Sequence, residues 1–207
     1  MSIYNSEGGD ISIALTGDTM LTRQLSVFDE EPYLALVKVL RGAHAAFTNM
    51  ETTVHEYNEC TPGLARGTYM TTEPRLLNDL KWMGINLVSC ANNHAFNFGQ
   101  EGVRSTIQYL DQAGIVHAGT GLNLAEARAP GYLDTPNGRV GLIAATAFFQ
   151  PSEVASQQRV DVRGRPGVNP LSFERTYTIG RAAFNELRCI SHALGFDREK
   201  ERKERHT

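Results

Sequence analysis

The stretch Asn86-Leu87-Val88-Ser89-Cys90-Ala91-Asn92-Asn93-His94, continued through Phe96-Asn97-Phe98-Gly99, decides the fold. An apolar run of strand length stops on two amides and an imidazole. A helical pattern with Val103, Ile107 and Leu110 on one face begins just beyond it. Strand, polar stop and helix is the unit from which α/β sheets are assembled. Asn side chains offer carbonyl oxygens to a metal or hydrogen bonds to an anion, and an imidazole transfers a proton or ligates a metal. The same residues also suit a left-handed turn and an N-cap with His94 hydrogen-bonded beneath. Taken alone, the block supports the two readings equally.

Working outward, two earlier runs end in a comparable way. Residues 11–16 form an apolar, β-branched segment that stops at Gly17-Asp18, and residues 45–48 stop at Asn49-Met50-Glu51. Each reads as a buried strand delivering a carboxylate at its end. Between them residues 32–40 carry a helical pattern, and Leu76, Leu77, Leu80 and Met83 define another helix with Pro74 in its first turn. Gly114 is placed to stop the helix that follows the central block, and residues 115–117 read as a fourth strand. Gly119-Thr120-Gly121 and a short helix over 125–128 come next. Asn137-Gly138 between residues 131–135 and 139–146 is a hairpin signal. The expectation is a mixed-sheet α/β fold with helices on the sheet faces.

Residues 150–170 contain Arg163-Gly164-Arg165-Pro166-Gly167-Val168-Asn169-Pro170, too rich in Gly and Pro for regular structure, and read as a long loop or lid. Residues 175–179 are expected as a final strand, followed by a helix with Phe184, Leu187, Ile190 and Leu194 on one face. The domain reading is a flexible start over 1–10, one domain over 11–196, and a charged tail over 197–207.

A net charge of −3 with basic and acidic residues interspersed gives no electropositive surface for nucleic acid, so no nucleic-acid partner is expected. The first ten residues lack a cationic region followed by an apolar core, and no apolar run approaches the ~20 residues that span a bilayer. A cytoplasmic chain without a transmembrane segment is expected. Cys60, Cys90 and Cys189 are odd in number and widely spaced, which suits neither a disulfide framework nor a zinc site.

In open α/β sheets ligands bind at the carboxyl ends of the strands. Asp18, Glu51 and Asn93-His94 all fall there. Two carboxylates and an amide oxygen are hard ligands suited to Mg²⁺ or Mn²⁺, with His94 as an acid or base beside them. Singly, Asp18 is better explained by a turn or helix cap after Gly17 and Glu51 by an exposed loop carboxylate; together they point to a metal site.

Four segments resemble, in order, the CapA family of capsule (poly-γ-glutamate) synthesis proteins. They are Thr16-Gly17-Asp18-Thr19-Met20, Thr48-Asn49-Met50-Glu51-Thr52, Ala91 through Gly99, and Gly119-Thr120-Gly121-Leu122-Asn123 with Glu126-Ala127. Residues 165–171 look like a family loop as well. That family is similar to the calcineurin-like metallophosphoesterases, so the resemblance implies an α/β/β/α sandwich with metals at the strand ends. It implies metal ligation by Asp18, Glu51 and Asn93, and catalysis by His94, which would protonate a leaving group during metal-assisted hydrolysis. Asn97 departs from the aspartate often found at its position. Arg163 and Arg165 are candidates for binding a phosphate or the carboxylates of an anionic polymer, although either one alone suits a solvated loop. Expected partners are an anionic polymer or phosphoester substrate and other capsule-synthesis proteins.

The histidine ligands that such a site takes from later in its domain are not evident here, because His117, His192 and His206 sit in no matching motif. The chain therefore reads as the amino-terminal part of a longer protein. The competing reading is a noncatalytic subunit that holds an anionic polymer in the same groove.

Overall fold

A computed structural model describes residues 8–63 and 67–196. The expected flexible start falls mostly on residues 1–7 and the charged tail on 197–207, both outside the described residues. The chain divides into two units, one ending at Ser172 and the other beginning at Phe173.

The first unit is built on a four-stranded parallel sheet of β1 (Ile13–Thr19), β2 (Ala45–Met50), β5 (Leu87–Ser89) and β6 (Val116–Ala118), in the order β1-β2-β5-β6. Between β2 and β5 lie β3 (Thr53–Val54) and β4 (Thr71–Thr72), which pair in parallel with each other. The strands alternate with α1 (Glu31–Gly42), α2 (Leu77–Met83) and α3 (Gly99–Ala113). The α/β class anticipated from sequence is therefore present, but the expected mixed sheet is not: among the described residues the four-stranded sheet is wholly parallel and the antiparallel pairs form separate two-stranded sheets. β7 (Thr120–Gly121), α4 (Leu124–Arg128), the hairpin β8 (Gly131–Thr135) with β9 (Gly138–Leu142), and β10 (Gly167–Val168) complete this unit.

Both faces of the sheet are partly covered. Leu40, Ala46, Met50, Leu80, Val88 and Leu110 belong to one buried cluster, each at most 3 % exposed. Fully burying a leucine such as Leu110 contributes roughly 1.5–3 kcal/mol. α1 starts with Pro32 in its first turn, and α2 and α3 end on glycines in the left-handed region, Gly84 and Gly114. α4 is fixed by a reciprocal cap: the Asn123 side chain accepts from the Glu126 N–H at 3.0 Å, while the Glu126 carboxylate accepts from the Leu122 N–H.

Four elements differ from the sequence expectation. The apolar stripe of α3 is rotated: Ile107 is only half-buried, whereas Gly102, Thr106 and Leu110 are buried, because the Thr106 hydroxyl accepts from the Val54 N–H at 2.9 Å and docks the helix on β3. Gly102 allows that approach, since a Cβ there would lie 2.7 Å from Phe98 Cβ and 2.8 Å from Thr53 Cγ2. The second arm of the hairpin stops at Leu142, and Thr146 instead bridges Pro170. Residues 150–170 are pinned rather than free: β10 pairs antiparallel with β7, and Val154 bridges Val168. The glycine at 167 that suggested irregularity is what permits this pairing, because a Cβ there would meet the Glu153 carbonyl oxygen at 2.3 Å.

In the second unit, residues 175–179 form no strand, since no ladder partner is available to them among the described residues. α5 (Arg181–Ala193) forms as expected, with Phe184, Leu187 and Ile190 more than half exposed along its apolar face. No helix among the described residues is long and apolar enough to cross a membrane. All three cysteines are free thiols.

Candidate functional site

The site begins with an irregularity in β1. Leu15 pairs with Phe47 and Asp18 with Asn49, so three steps along β1 match two along β2. One extra residue sits at Thr16-Gly17, and such a bulge re-aims the side chains that follow. Hydroxyls secure it: Thr16 Oγ1 donates to the Phe47 carbonyl at 2.9 Å, and Thr48 Oγ1 donates to the Gly17 carbonyl at 2.8 Å. Pairing consequently continues to Thr19 and Met50, placing Asp18 within the strand rather than beyond it.

The bulge sets Asp18 directly across from Asn49. Side chains two apart on a strand share a face, so Asn49 and the following carboxylate Glu51 lie side by side. Asn49 Nδ2 donates to Asp18 Oδ1 at 2.8 Å and to Glu51 Oε2 at 2.6 Å. Its oxygen accepts from Asn92 Nδ2 at 3.2 Å. The orientation of the amide is set by these partners, since ionised carboxylates accept only.

Asn92 continues the chain of amides. Its nitrogen also donates to the Met50 carbonyl at 2.8 Å, and its oxygen accepts from the His94 N–H at 3.0 Å, closing an Asx turn. The turn role read from the sequence is therefore met by Asn92, which also ties the turn to β2. Asn93 is exposed, and no hydrogen bond joins its side chain to the cluster.

His94 is brought to the same place. Its side chain is 16 % exposed, and Nε2 lies 3.8 Å from Glu51 Oε1, too far for a hydrogen bond. Nδ1 is 2.9 Å from Asn97 Nδ2, and that nitrogen also donates to the Thr68 carbonyl at 3.2 Å. Burial pushes the Glu51 carboxyl above its usual range, the nearby Asp18 charge pushes it further, and His94 and Asn49 partly offset the rise.

The arginines behave differently. The Arg165 guanidinium donates to the carbonyls of Val154, at 2.9 and 3.2 Å, and Pro151, at 3.0 Å, so it organises its own loop. Arg163 is exposed. Among the described residues no hydrogen bond or ion pair joins either arginine to the carboxylate cluster.

Asn49 and Asn97 are the participants that residue types alone did not single out. The signals were present as spacings, Asn-x-Glu along a strand and His-x-x-Asn around one turn.

A divalent ion is testable against this donor set. Asp18 and Glu51 present hard oxygens to one point, and their mutual repulsion favours a cation there. That pair fits a single hard ion in place of the Asn49 amide hydrogens. Among the described residues no group of three or more His, Cys, Asp or Glu is arranged to hold a metal.

Comparison with known proteins adds a family match. Residues 12–189 match the family model described as "Bacterial capsule synthesis protein PGA_cap". Two relatives from Sinorhizobium fredii (strain NBRC 101917 / NGR234), the uncharacterized proteins y4sH and y4uA, are each 35% identical over 186 residues. The alignment covers 88% of this chain and 40% of each relative, so the chain spans about two fifths of the length of these curated relatives.

Proposed function

Because this chain belongs to the bacterial capsule synthesis protein PGA_cap family, we propose that it serves capsule assembly as a metal-dependent, phosphoesterase-like hydrolase acting on an anionic polymer or phosphoester. The single observation that carries this reading is the junction at which Asp18 and Glu51 converge on one amide nitrogen with His94 Nε2 beside them. The resemblance to metallophosphoesterases, including their sandwich architecture, is part of the same proposal, as is a role in poly-γ-glutamate synthesis.

A divalent ion would be held by the carboxylates of Asp18 and Glu51, and Asn93, the third ligand implied by the resemblance, would have to turn its exposed amide toward them; when bound the ion would supply a charge that polarises an ester oxygen and acidifies water. The protein's own groups do the remainder. Asn49 and Asn92 hold the two carboxylates and the His94 turn in one hydrogen-bonded frame, which fixes their geometry before any ligand arrives. His94 brings a proton-bearing ring to the edge of that frame, where a leaving or attacking oxygen would stand. The exposed side of Asp18 leaves an approach for a large substrate. Arg163 is the loop cation free to meet an anionic chain; Arg165 would contribute by shaping the loop.

That the described residues hold no group of three or more His, Cys, Asp or Glu arranged for a metal favours a second reading, a noncatalytic subunit that binds an anionic polymer. Thermal melts of the full chain with increasing Mn²⁺ or Mg²⁺, paired with turnover of a generic aryl phosphodiester, separate the two. Hydrolysis requires ion-dependent stabilisation and turnover, both lost in Asp18→Asn, with turnover alone lost in His94→Ala. Polyglutamate binding that survives both substitutions, without turnover by the parent chain, refutes the hydrolase.

A further inference from the structure

Asn97 is 2 % exposed, and its amide is clamped between two partners. The Thr68 carbonyl oxygen lies 3.2 Å from Nδ2, and a carbonyl oxygen only accepts, so the nitrogen must face it. Rotating the amide by half a turn would set two oxygens against each other. The second hydrogen on the same nitrogen points at His94 Nδ1, 2.9 Å away, which must therefore present a lone pair. A neutral imidazole carries one N–H, so the proton sits on Nε2.

The ring is also held at its backbone. The His94 N–H donates to Asn92 Oδ1, and the His94 carbonyl accepts from the Asn97 N–H at 3.0 Å and from Thr53 Oγ1 at 3.2 Å. Nε2 therefore faces the carboxylate cluster, 3.8 Å from Glu51 Oε1, with its N–H not committed to that oxygen.

We propose that Asn97 is a positioning residue that locks His94 as the Nε2–H tautomer, making His94 a fixed hydrogen-bond donor to an anionic oxygen of the substrate rather than a ligand or proton acceptor through Nε2. This inference rests on the reading of His94 as a substrate-facing group. A carboxylate at position 97 would act in the opposite sense. It would accept from Nδ1–H and leave a lone pair on Nε2, the form that binds metals or takes protons. The choice of amide over acid thus selects what His94 offers to the groove.

The test is a long-range ¹H–¹⁵N correlation spectrum of the full ¹⁵N-labelled chain in chelator-treated buffer, at a pH where histidines are neutral. His94 peaks are assigned by their loss in His94→Gln. Nε2 is expected at the protonated, pyrrole-type position and Nδ1 at the unprotonated, pyridine-type position, with the two exchanging places in Asn97→Asp. In Asn97→Ala, both nitrogens should shift to intermediate positions as tautomers mix. A protonated Nδ1 in the parent chain overturns the proposal, and so does a folded Asn97→Asp or Asn97→Ala chain whose ring is unchanged. Should the aspartate variant fail to fold, the parent and alanine spectra decide. None of these readouts needs turnover, so a chain that hydrolyses no phosphodiester would refute the hydrolase and leave this assignment standing.

Discussion

Replacing Glu51 by glutamine keeps an acceptor for Asn49 and removes one charge. The Glu51 carboxyl titrates above its ordinary range in the folded chain, through burial first and the Asp18 charge second. A carboxyl whose pKa is raised by folding binds its proton more tightly in the folded state, so its ionisation opposes folding. The penalty is absent below the unfolded value near 4.5, grows as pH rises through the folded value, and is complete above it. Its electrostatic part follows from geometry. The Asp18 and Glu51 oxygens share one nitrogen at 2.8 and 2.6 Å, so they cannot be further apart than the sum of those distances. Two unit charges about 5 Å apart repel by about 3 kcal/mol at an effective dielectric of about 20, and by about 0.8 kcal/mol in bulk water. Because Asp18 is exposed, the lower half of that range applies. Glu51→Gln should stabilise the chain by about 1–2 kcal/mol at neutral pH, roughly 2–8 °C in Tm. Thermal and urea melts of both chains in chelator-treated buffer, at neutral pH and at about pH 4, provide the measurement, with no gain expected at the acidic point. A variant less stable than its parent at neutral pH, or equally stabilised at both, would refute the reasoning.

Three further outcomes follow from local geometry. Gly102→Ala drives a Cβ to 2.7 Å from Phe98 Cβ and 2.8 Å from Thr53 Cγ2, so urea melts should show a loss of about 1–3 kcal/mol. Asp79 is buried, and its Oδ1 accepts from the Leu25 N–H at 2.9 Å and the Ser26 N–H at 2.7 Å. Burial alone would raise its carboxyl, but the bonds from Ser26 and Leu25 outweigh it and hold the group below its ordinary value of 3.8. Asp79→Ala should therefore cost about 2–4 kcal/mol at neutral pH, a difference that shrinks as acidification passes below that value and protonates the parent. Cys90 is fully buried, which pushes its thiol up to about 12, so a native-state alkylation time course should label Cys189 and spare Cys90 until the chain unfolds.

Much of this arrangement was legible because strand ends announce themselves. Runs stopping at Asp18, Asn49 and the Asn92-Asn93-His94 block marked three parallel strands in the sheet. Three of the four expected contributors, Asp18, Glu51 and His94, do converge at one end. What the sequence hid was cross-strand register. Because β1 carries an extra residue, Asp18 reaches its place opposite Asn49 only when the bulge at Thr16-Gly17 absorbs that residue, and no periodicity in β1 alone reveals which residue is extra. The fate of Arg165 was hidden for a related reason. A guanidinium on a Gly/Pro-rich loop looks available until the loop folds back and presents the carbonyls of Pro151 and Val154. The face of α3 was misjudged because hydrophobicity ranks Ile107 above Gly102 and Thr106, whereas docking on β3 selected small size and a hydroxyl acceptor.

The extra residue in β1 also acts as a change of parity. Up to Thr16 the exposed positions are the odd-numbered ones, Ile13 and Leu15; after it the even-numbered Asp18 is exposed and Thr19 turns inward. Removing Gly17 would restore one parity along the whole strand and still leave the aspartate on the open face opposite Asn49. Strand length and carboxylate placement are thus decoupled at this point. A chain with Gly17 deleted would present the same acid to the same amide from a strand one residue shorter.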